Sequence, residues 1–219
     1  MGTATLTERP MHTSAQVWPG SQLLSEYLVS NAATMANYRS VCEVGAGTGM
    51  AGLVCAMLAT AHSRELVLTD GAAEACGLMQ HNLDLNEGCV PDSVRVKVAR
   101  LRWGEEERER DLAKLPGPAG YFDAVLASDC ALSSSTVGDF VRTVNRLLRA
   151  DAGATFICVA IMGGAAAFDG VLEECSSCGL RLIEPANGPP SEPTSTTARR
   201  VVLRFQRQTS AEENRQTEI

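Results

Sequence analysis

The sequence predicts an α/β fold in which a mainly parallel sheet carries an antiparallel hairpin at one edge. Five short apolar runs alternate with segments of helical periodicity, which is the pattern of parallel strands joined by crossover helices. The two apolar runs that follow are joined without a helical segment, and this predicts an antiparallel pair. A glycine-rich turn follows the first run, and in open parallel sheets ligands bind at such turns.

Length and composition predict one domain. The chain has 219 residues with 45% hydrophobic content, which is enough for a single α/β core. We predict a flexible N-terminal arm at 1–14, a single domain at 15–207 and a disordered tail at 208–219. The two ends are polar and show no apolar periodicity, which is typical of segments outside a packed core.

The charge and the apolar pattern indicate the kind of partner and compartment. A net charge of −7 argues against a general nucleic-acid-binding protein, because phosphate contacts require a basic surface. No apolar run approaches the roughly 20 residues needed to span a bilayer, and the first residues lack the pattern of a signal peptide. We therefore expect no membrane association and a cytoplasmic location, with the nucleus as a second candidate.

The cysteines do not predict a metal site. Most of the eight lie inside apolar runs, where a free thiol behaves as a small hydrophobic group. Cys175 and Cys178 form a single C-x-x-C motif without a second pair or a histidine cluster. We interpret this pair as structural and predict no bound metal.

An amphipathic helix is predicted ahead of the first strand, in the segment VWPGSQLLSEYLVSNAATM. Pro19 suits a first helical turn, and Leu24 and Leu28 share one face. Trp18 lies at the start of this helix. The pattern leaves two roles open for Trp18, either packing the helix onto the sheet edge or covering a ligand pocket.

The remaining elements follow from periodicity and from Gly and Pro positions. Strands are predicted at 40–44, 65–69, 93–103, 121–128, 153–162, 179–185 and 199–207. Helices are predicted at about 50–62, 72–87 and 164–177, with another between the fourth and fifth strands whose apolar face carries Phe140, Val141, Val144, Leu147 and Leu148. The mixed-charge segment 104–120 is predicted to be a connection with a solvated charged face.

Acidic and aromatic residues stand at the predicted carboxyl ends of the strands, where ligands collect in open parallel sheets. Asp70 closes the second strand, Trp103 the third and Asp129 follows the fourth. Asp70 comes 21 residues after Gly49, a spacing that places an acidic side chain against ribose hydroxyls. The alternative for Asp70 is a cap on the following helix.

The glycine turn itself favours one class of nucleotide. GTGMAG formally fits the dinucleotide pattern, but Gly45 follows the strand directly and gives the spacing G-x-G-x-G. Glu43 stands two residues before Gly45, and a carboxylate pointing into the pocket would repel a pyrophosphate. It would suit the cationic amino and sulfonium groups of S-adenosylmethionine. We therefore predict S-adenosylmethionine as cofactor, with an NAD-dependent oxidoreductase as a remaining alternative.

Five motifs together resemble the seven-strand methyltransferase-like family of protein-lysine methyltransferases. These are V-x-E-V-G-A-G-T-G, L-T-D, the pair Asn82 and Asn86, L-R-W-G and F-D-A-V-L-A-S-D. The V-W-P-G-x-x-L-L-x-x-Y-L segment is similar to the entry helix of that family, and the resemblance runs from about Trp18 to Phe205. It implies a Rossmann-like fold with strand order 3-2-1-4-5-7-6.

The resemblance also implies roles on the donor side. Gly45, Ala46 and Gly47 would hold the methionine part of S-adenosylmethionine, and Asp70 the ribose. The remaining donor-side residues are Trp103 near the adenine, Ser128 closing the pocket, Trp18 covering the donor, and Glu43.

On the acceptor side, Asp129 heads the D-x-x-Y motif of the family, whose aspartate is implied to orient the methyl-accepting amine. The chain departs from the family twice on this side. Leu132 stands in place of the tyrosine, and the segment after the fifth strand, IMGGAAAFDG, lacks the basic residue expected there.

The sequence thus predicts an S-adenosylmethionine-dependent methyltransferase that acts, as a monomer, on a lysine of a protein substrate. Two alternatives remain open because of Leu132. One is methylation of a small molecule or another nitrogen acceptor at the same donor site, and the other is a donor-binding module that has lost catalysis.

Overall fold

The computed structural model describes residues 16–59, 63–117, 120–130, 133–161, 165–185 and 200–208. The strands are β1 Ser40–Val44, β2 Arg64–Asp70, β3 Val94–Arg100, β4 Ala124–Ser128, β5 Thr155–Ile161, β6 Leu180–Pro185 and β7 Arg200–Arg207. The helices are α1 Pro19–Ser30, α2 Ala32–Met35, α3 Met50–Met57, α4 Ala73–Leu85, α5 Glu105–Leu112, α6 Ser134–Leu147 and α7 Ala165–Ser177.

The seven strands form one sheet in the order β3-β2-β1-β4-β5-β7-β6. Strands β1 to β5 pair in parallel, while β7 runs antiparallel to both β5 and β6. Because β1 to β4 are parallel, their carboxyl ends meet at one edge of the sheet, which we call the carboxyl edge. The predicted fold and strand order are confirmed.

Helices cover both faces of the sheet and give it two apolar cores. One core contains buried side chains of α6 and α7, and the other contains buried side chains of α1 to α4. On α6, the predicted apolar face is buried as expected, with Phe140 packed between Trp103 and Phe156. None of the helices within the described residues has the length and apolar character needed to cross a bilayer.

The mixed-charge segment 104–120 differs from its prediction, because α5 occupies its first half. Two of its charged residues are buried: Arg108 and Asp111. The Asp111 carboxylate accepts hydrogen bonds from Arg102 Nε and from the Arg102 backbone N–H, and the Arg102 side chain holds the pKa of Asp111 below its usual range. Glu and Arg favour helices intrinsically, but the segment has no apolar period to reveal one.

One strand boundary is corrected, and some predicted segments lie outside the described residues. Strand β3 ends at Arg100, so Trp103 lies three residues beyond it in an irregular segment and does not close the strand. The predicted N-terminal arm at 1–14 and most of the predicted tail at 208–219 lie outside the described residues, as does residue 132.

Arg64, the first residue of β2, is a buried charged residue that joins three elements at the opposite edge of the sheet. Its guanidinium donates to the backbone carbonyls of Met35, Tyr38 and Cys55. Met35 and Cys55 lie in the last turns of α2 and α3, where helix carbonyls lack intrahelical partners. Arg64 therefore donates to the Cys55 carbonyl at the end of α3 and gives the Met35 carbonyl, which also accepts the Tyr38 N–H, a second donor.

We expect Arg64→Ala to lower the free energy of unfolding by about 3 kcal/mol, because three buried carbonyls lose a charged donor, although the Met35 carbonyl keeps the Tyr38 N–H. Chemical denaturation measures this loss. Arg95→Ala is the matched control, since Arg95 is exposed on the neighbouring strand and its loss should cost less than about 0.5 kcal/mol. Equal losses for the two variants would contradict the structural role given to Arg64.

Candidate functional site

A cavity of about 480 Å³ opens at the carboxyl edge, between the ends of β1, β2 and β4 and the start of α1. The sequence-predicted residues that line it are Trp18, Gly45, Ala46, Gly47, Asp70, Trp103, Ser128 and Asp129. Residues that the sequence interpretation did not single out also line it, among them Gln16 and Cys130. The fold thus brings the predicted site residues together around this cavity, except for Glu43, which does not line it.

The turn after β1 depends on glycine at position 45. Gly45 adopts a φ of 66°, in the left-handed region that side chains disfavour. A Cβ atom there would lie 2.6 Å from Cys130 Sγ, which itself contacts the carbonyls of Val44 and Ser128 at 3.2 Å each. Burial raises the pKa of the Cys130 thiol, so it packs as a neutral group. The turn and the segment after β4 therefore fit together only without a side chain at 45.

We expect Gly45→Ala to lower the free energy of unfolding by about 2–3 kcal/mol, from backbone strain of roughly 1–2 kcal/mol and the contact with Cys130. In the double variant Gly45→Ala, Cys130→Ala, removing the sulfur should leave only the strain. Gly77→Ala is the control: Gly77 is exposed on α4 with no atom near its Cβ position, so alanine should stabilise by about 0.5–1 kcal/mol. Thermal unfolding of the four proteins measures these differences; a stability of Gly45→Ala equal to wild type would contradict the argument.

Asp70 links the turn to the end of β2. Its Oδ2 accepts the N–H of Gly47 at 3.1 Å, and its Oδ1 accepts the N–H of Ala72 at 2.9 Å, just before α4. The N-cap residue of α4 is Ala72, so Asp70 does not itself cap that helix. Each carboxylate oxygen has a second lone pair, and Asp70 lines the cavity. Its side chain is therefore placed to accept hydrogen bonds from a ligand's hydroxyl groups.

Glu43 has a different orientation from the one predicted. Its side chain is only 1% exposed, and Oε2 accepts the N–H of Gly52 at 2.8 Å in α3. Glu43 is absent from the cavity lining, so its carboxylate faces α3. Burial raises its pKa to about 8, with Asp70 contributing in the same direction. Contact of Glu43 with a ligand stays a prediction.

Two tryptophans give the cavity its aromatic surface. Trp103 packs against Phe140 with ring centroids 5.2 Å apart, and its Nε1 is buried without a hydrogen-bond partner among the described residues. Trp18 is the N-cap residue of α1, and its carbonyl accepts the N–H of Ser21 at 3.0 Å. An aromatic surface beside a carboxylate suits the flat base and the ribose of a nucleoside.

Asp129 sits in a constrained position at the end of β4. It is 8% exposed, and its φ of 51° is left-handed, which is uncommon for residues other than glycine. Arg200 Nε donates to Oδ1 and Oδ2 at 2.9 and 3.0 Å, and the Gly20 N–H donates to Oδ2 at 2.9 Å. The carboxylate therefore has two partners within the protein, and its role in orienting an acceptor amine stays a prediction.

Sequence reasoning missed Arg200, and little in the sequence could have revealed it. It is the first residue of β7, paired in register with Ile161 at the end of β5. The sequence separation of 71 residues from Asp129 hides the contact, which arises only because β7 returns antiparallel along β5. Among the described residues, no group of three His, Cys, Asp or Glu side chains is arranged to hold a metal ion.

Comparison with known proteins adds three findings. A family model described as "Lysine methyltransferase" matches residues 6–163. A calmodulin-lysine N-methyltransferase of Arabidopsis thaliana is 30% identical over 133 residues, covering 61% of this chain and 40% of that protein. The protein-lysine N-methyltransferase EFM3 of Chaetomium thermophilum is 26% identical over 186 residues, covering 82% of this chain and 52% of that protein. The chain thus spans about half the length of these relatives.

A solved structure with the same fold carries the cofactor that the sequence predicts. Magnesium protoporphyrin IX methyltransferase from Synechocystis, with S-adenosylmethionine bound, matches with a TM-score of 0.59 at 15% identity. The match covers 86% of this chain and 80% of that one. At this identity the likeness shows the fold alone.

Proposed function

Because this chain belongs to the lysine methyltransferase family, we propose that it transfers the methyl group of S-adenosylmethionine to a lysine side chain of a protein substrate. The observation that carries the proposal is the cavity at the carboxyl edge. It combines the turn at Gly45 to Gly47, the carboxylate of Asp70 and the two tryptophans.

The cavity residues fit the donor part by part. In this proposal the backbone of the turn would hold the methionine portion, and a side chain at 45 would collide with Cys130. Asp70 has free lone pairs for the ribose hydroxyls. Trp103 offers an apolar surface for the adenine, and its buried Nε1 still lacks an acceptor among the described residues. When bound, the donor would supply a methyl group on a cationic sulfur: the amine nitrogen would bond to the methyl carbon as the carbon–sulfur bond breaks, with S-adenosylhomocysteine as the leaving group.

The chain's contribution to the reaction is alignment and exclusion of water. Methyl transfer is an in-line displacement, so holding the two reacting groups in one geometry lowers the barrier. A lysine amine, with an ordinary pKa near 10.4, must first lose a proton. Burial beside the tryptophans lowers an amine pKa by desolvation and so favours the neutral, nucleophilic form. In this scheme Trp18, at the start of α1, helps to exclude water from the cavity.

We further propose a basic segment of another protein as the substrate. The net charge of −7 is complementary to a lysine-bearing segment and unfavourable for nucleic acid. We also propose that the protein acts as a monomer without membrane association. Its proposed location is the cytoplasm, with the nucleus as a second candidate.

Two measurements test the proposal. Titration calorimetry should show binding of S-adenosylmethionine and of its demethylated product, S-adenosylhomocysteine, and none of NAD. Tritiated donor added to a cell lysate with the protein should label a protein band, in which mass spectrometry locates a methylated lysine. Label confined to small molecules would favour the small-molecule alternative. Donor binding without any turnover would favour a module that has lost catalysis, and binding of NAD alone would overturn the proposal.

A further inference from the structure

Within the described part of the chain, no neighbouring side chain caps the start of α1. Its N-cap residue, Trp18, makes no side-chain capping hydrogen bond, and the first turn contains no acidic residue. Pro19 has no N–H, so the first backbone donor that needs a partner in this turn belongs to Gly20. That N–H is satisfied from a distant strand end, by Asp129 Oδ2 at 2.9 Å.

The contact between Gly20 and Asp129 is too close for any side chain on α1 at that point. A Cβ atom built on Gly20 would lie 2.5 to 2.6 Å from the carboxyl carbon and both carboxyl oxygens of Asp129. The negative charge also lies at the positive end of the helix dipole, which favours it there. The carboxylate is thus seated on the helix terminus itself.

Arg200 holds the carboxylate from the other side. Its Nε reaches both oxygens, and only 3% of the Asp129 side chain is exposed. The left-handed backbone of Asp129, with φ of 51°, is retained although it costs about 1 kcal/mol or more. These contacts join the end of β4, the start of β7 and the start of α1.

We infer that Asp129 is the N-terminal cap of α1, fixed by Arg200, and that it serves donor binding by holding Trp18 over the cavity. This inference rests on the proposed function for the identity of the donor. It makes Asp129 a positioning residue whose carboxylate is engaged by the protein, and assigns it no direct bond to the methyl-accepting amine.

The experiment compares three variants with one matched control. Asp129→Ala removes the cap, and Gly20→Ala displaces the carboxylate by its Cβ. Asp129→Asn retains an oxygen that can accept from Gly20, because Asn caps helices as well as Asp and tolerates left-handed φ. Asp123→Ala is the control. Asp123 also accepts two backbone N–H groups, those of Arg39 and Ser40, and pairs with Arg149, but its partners lie outside the cavity lining.

Two readouts are measured well below the unfolding temperature. Calorimetry with S-adenosylhomocysteine should show a Kd raised by about tenfold or more for Asp129→Ala and Gly20→Ala, and by less than about threefold for Asp129→Asn. Asp123→Ala should bind like wild type even where it lowers stability. Hydrogen exchange without donor should be faster in residues 16–30 of Asp129→Ala and Gly20→Ala only.

The outcomes separate the inference from the proposed function. Unchanged Kd and unchanged exchange in Asp129→Ala would overturn the inference and leave the donor assignment intact. Equal loss of affinity in Asp129→Asn and Asp129→Ala would overturn it as well, because the charge and not the cap would then matter. If wild type binds no donor, the proposed function fails, and the exchange data alone decide whether Asp129 caps α1. If Asp129→Ala does not fold, the same comparison of Kd and hydrogen exchange is made between Gly20→Ala, which disrupts the cap, and Asp129→Asn, which keeps it.

Discussion

Replacing Asp70 with alanine is expected to raise the Kd for S-adenosylmethionine by about a hundredfold or more. Under the proposed function, Asp70 accepts hydrogen bonds from two ribose hydroxyls, and each such bond to a charged group contributes roughly 1.5 kcal/mol or more. The substitution also removes the acceptor of the Gly47 N–H, which Asp70 Oδ2 accepts at 3.1 Å, so the turn proposed to hold the methionine part loses a hydrogen bond. Titration calorimetry of the purified variant measures the change.

Two matched variants make the Asp70 result specific. Asp70→Asn keeps one carbonyl oxygen of the side chain and should lose affinity by only about tenfold. Asp92→Ala removes an exposed carboxylate at the opposite edge of the sheet and should bind the donor like wild type. A Kd for Asp70→Ala within about threefold of wild type, in a folded protein, would remove Asp70 from the binding site.

The parts of the fold that were predictable are those set by local patterns. Of the five apolar residues assigned to one helix face, four lie in α6 and the fifth, Leu148, directly follows it; all five are buried, and the 3.6-residue period places the four together. The order of the seven strands came from the family resemblance, and the structure confirms it. The turn at Gly45 was recognised because glycine with positive φ has few substitutes.

The features that escaped prediction depend on contacts between distant residues. Helix α5 has no apolar period, and Asp111 is buried through its contact with Arg102. Arg64 was assigned to no role because its three partners are backbone carbonyls, which leave no trace in side-chain pattern. The predicted orientation of the Glu43 side chain was wrong, because a strand residue next to the turn can face either the cavity or α3.

The positive charge on the acceptor side also depends on a contact between distant residues. The sequence has no basic residue directly after β5, and this absence was interpreted as a departure from the family pattern. In the structure the register places Arg200 of β7 opposite Ile161, at the end of β5, and its guanidinium reaches Asp129. A positive charge is therefore present at that end of the sheet, supplied by the neighbouring antiparallel strand.

Replacing Glu43 with glutamine is expected to change how stability depends on pH. Burial raises the pKa of Glu43 from its ordinary 4.5 to about 8, so between these values the folded protein holds a proton that the unfolded chain has released. The free energy of unfolding of wild type should therefore fall as pH rises through this window, by up to about 1.4 kcal/mol per pH unit from this group. A glutamine side chain at this position cannot ionise, yet its carbonyl can still accept the Gly52 N–H.

Denaturation at pH 5.5, 6.5, 7.5 and about 8 checks this, with the slope of the Glu43→Gln variant expected to be flatter than that of wild type. Glu65→Gln is a control of opposite sign, because the Tyr121 hydroxyl, with Lys97, holds the pKa of Glu65 below its ordinary value. The stability from Glu65 is fully present above that ordinary value and is lost only as pH falls through the lower folded one. Its removal should lower stability equally across the window and leave the slope unchanged. The same slope in wild type and Glu43→Gln would show that Glu43 is ionised beneath the turn at neutral pH.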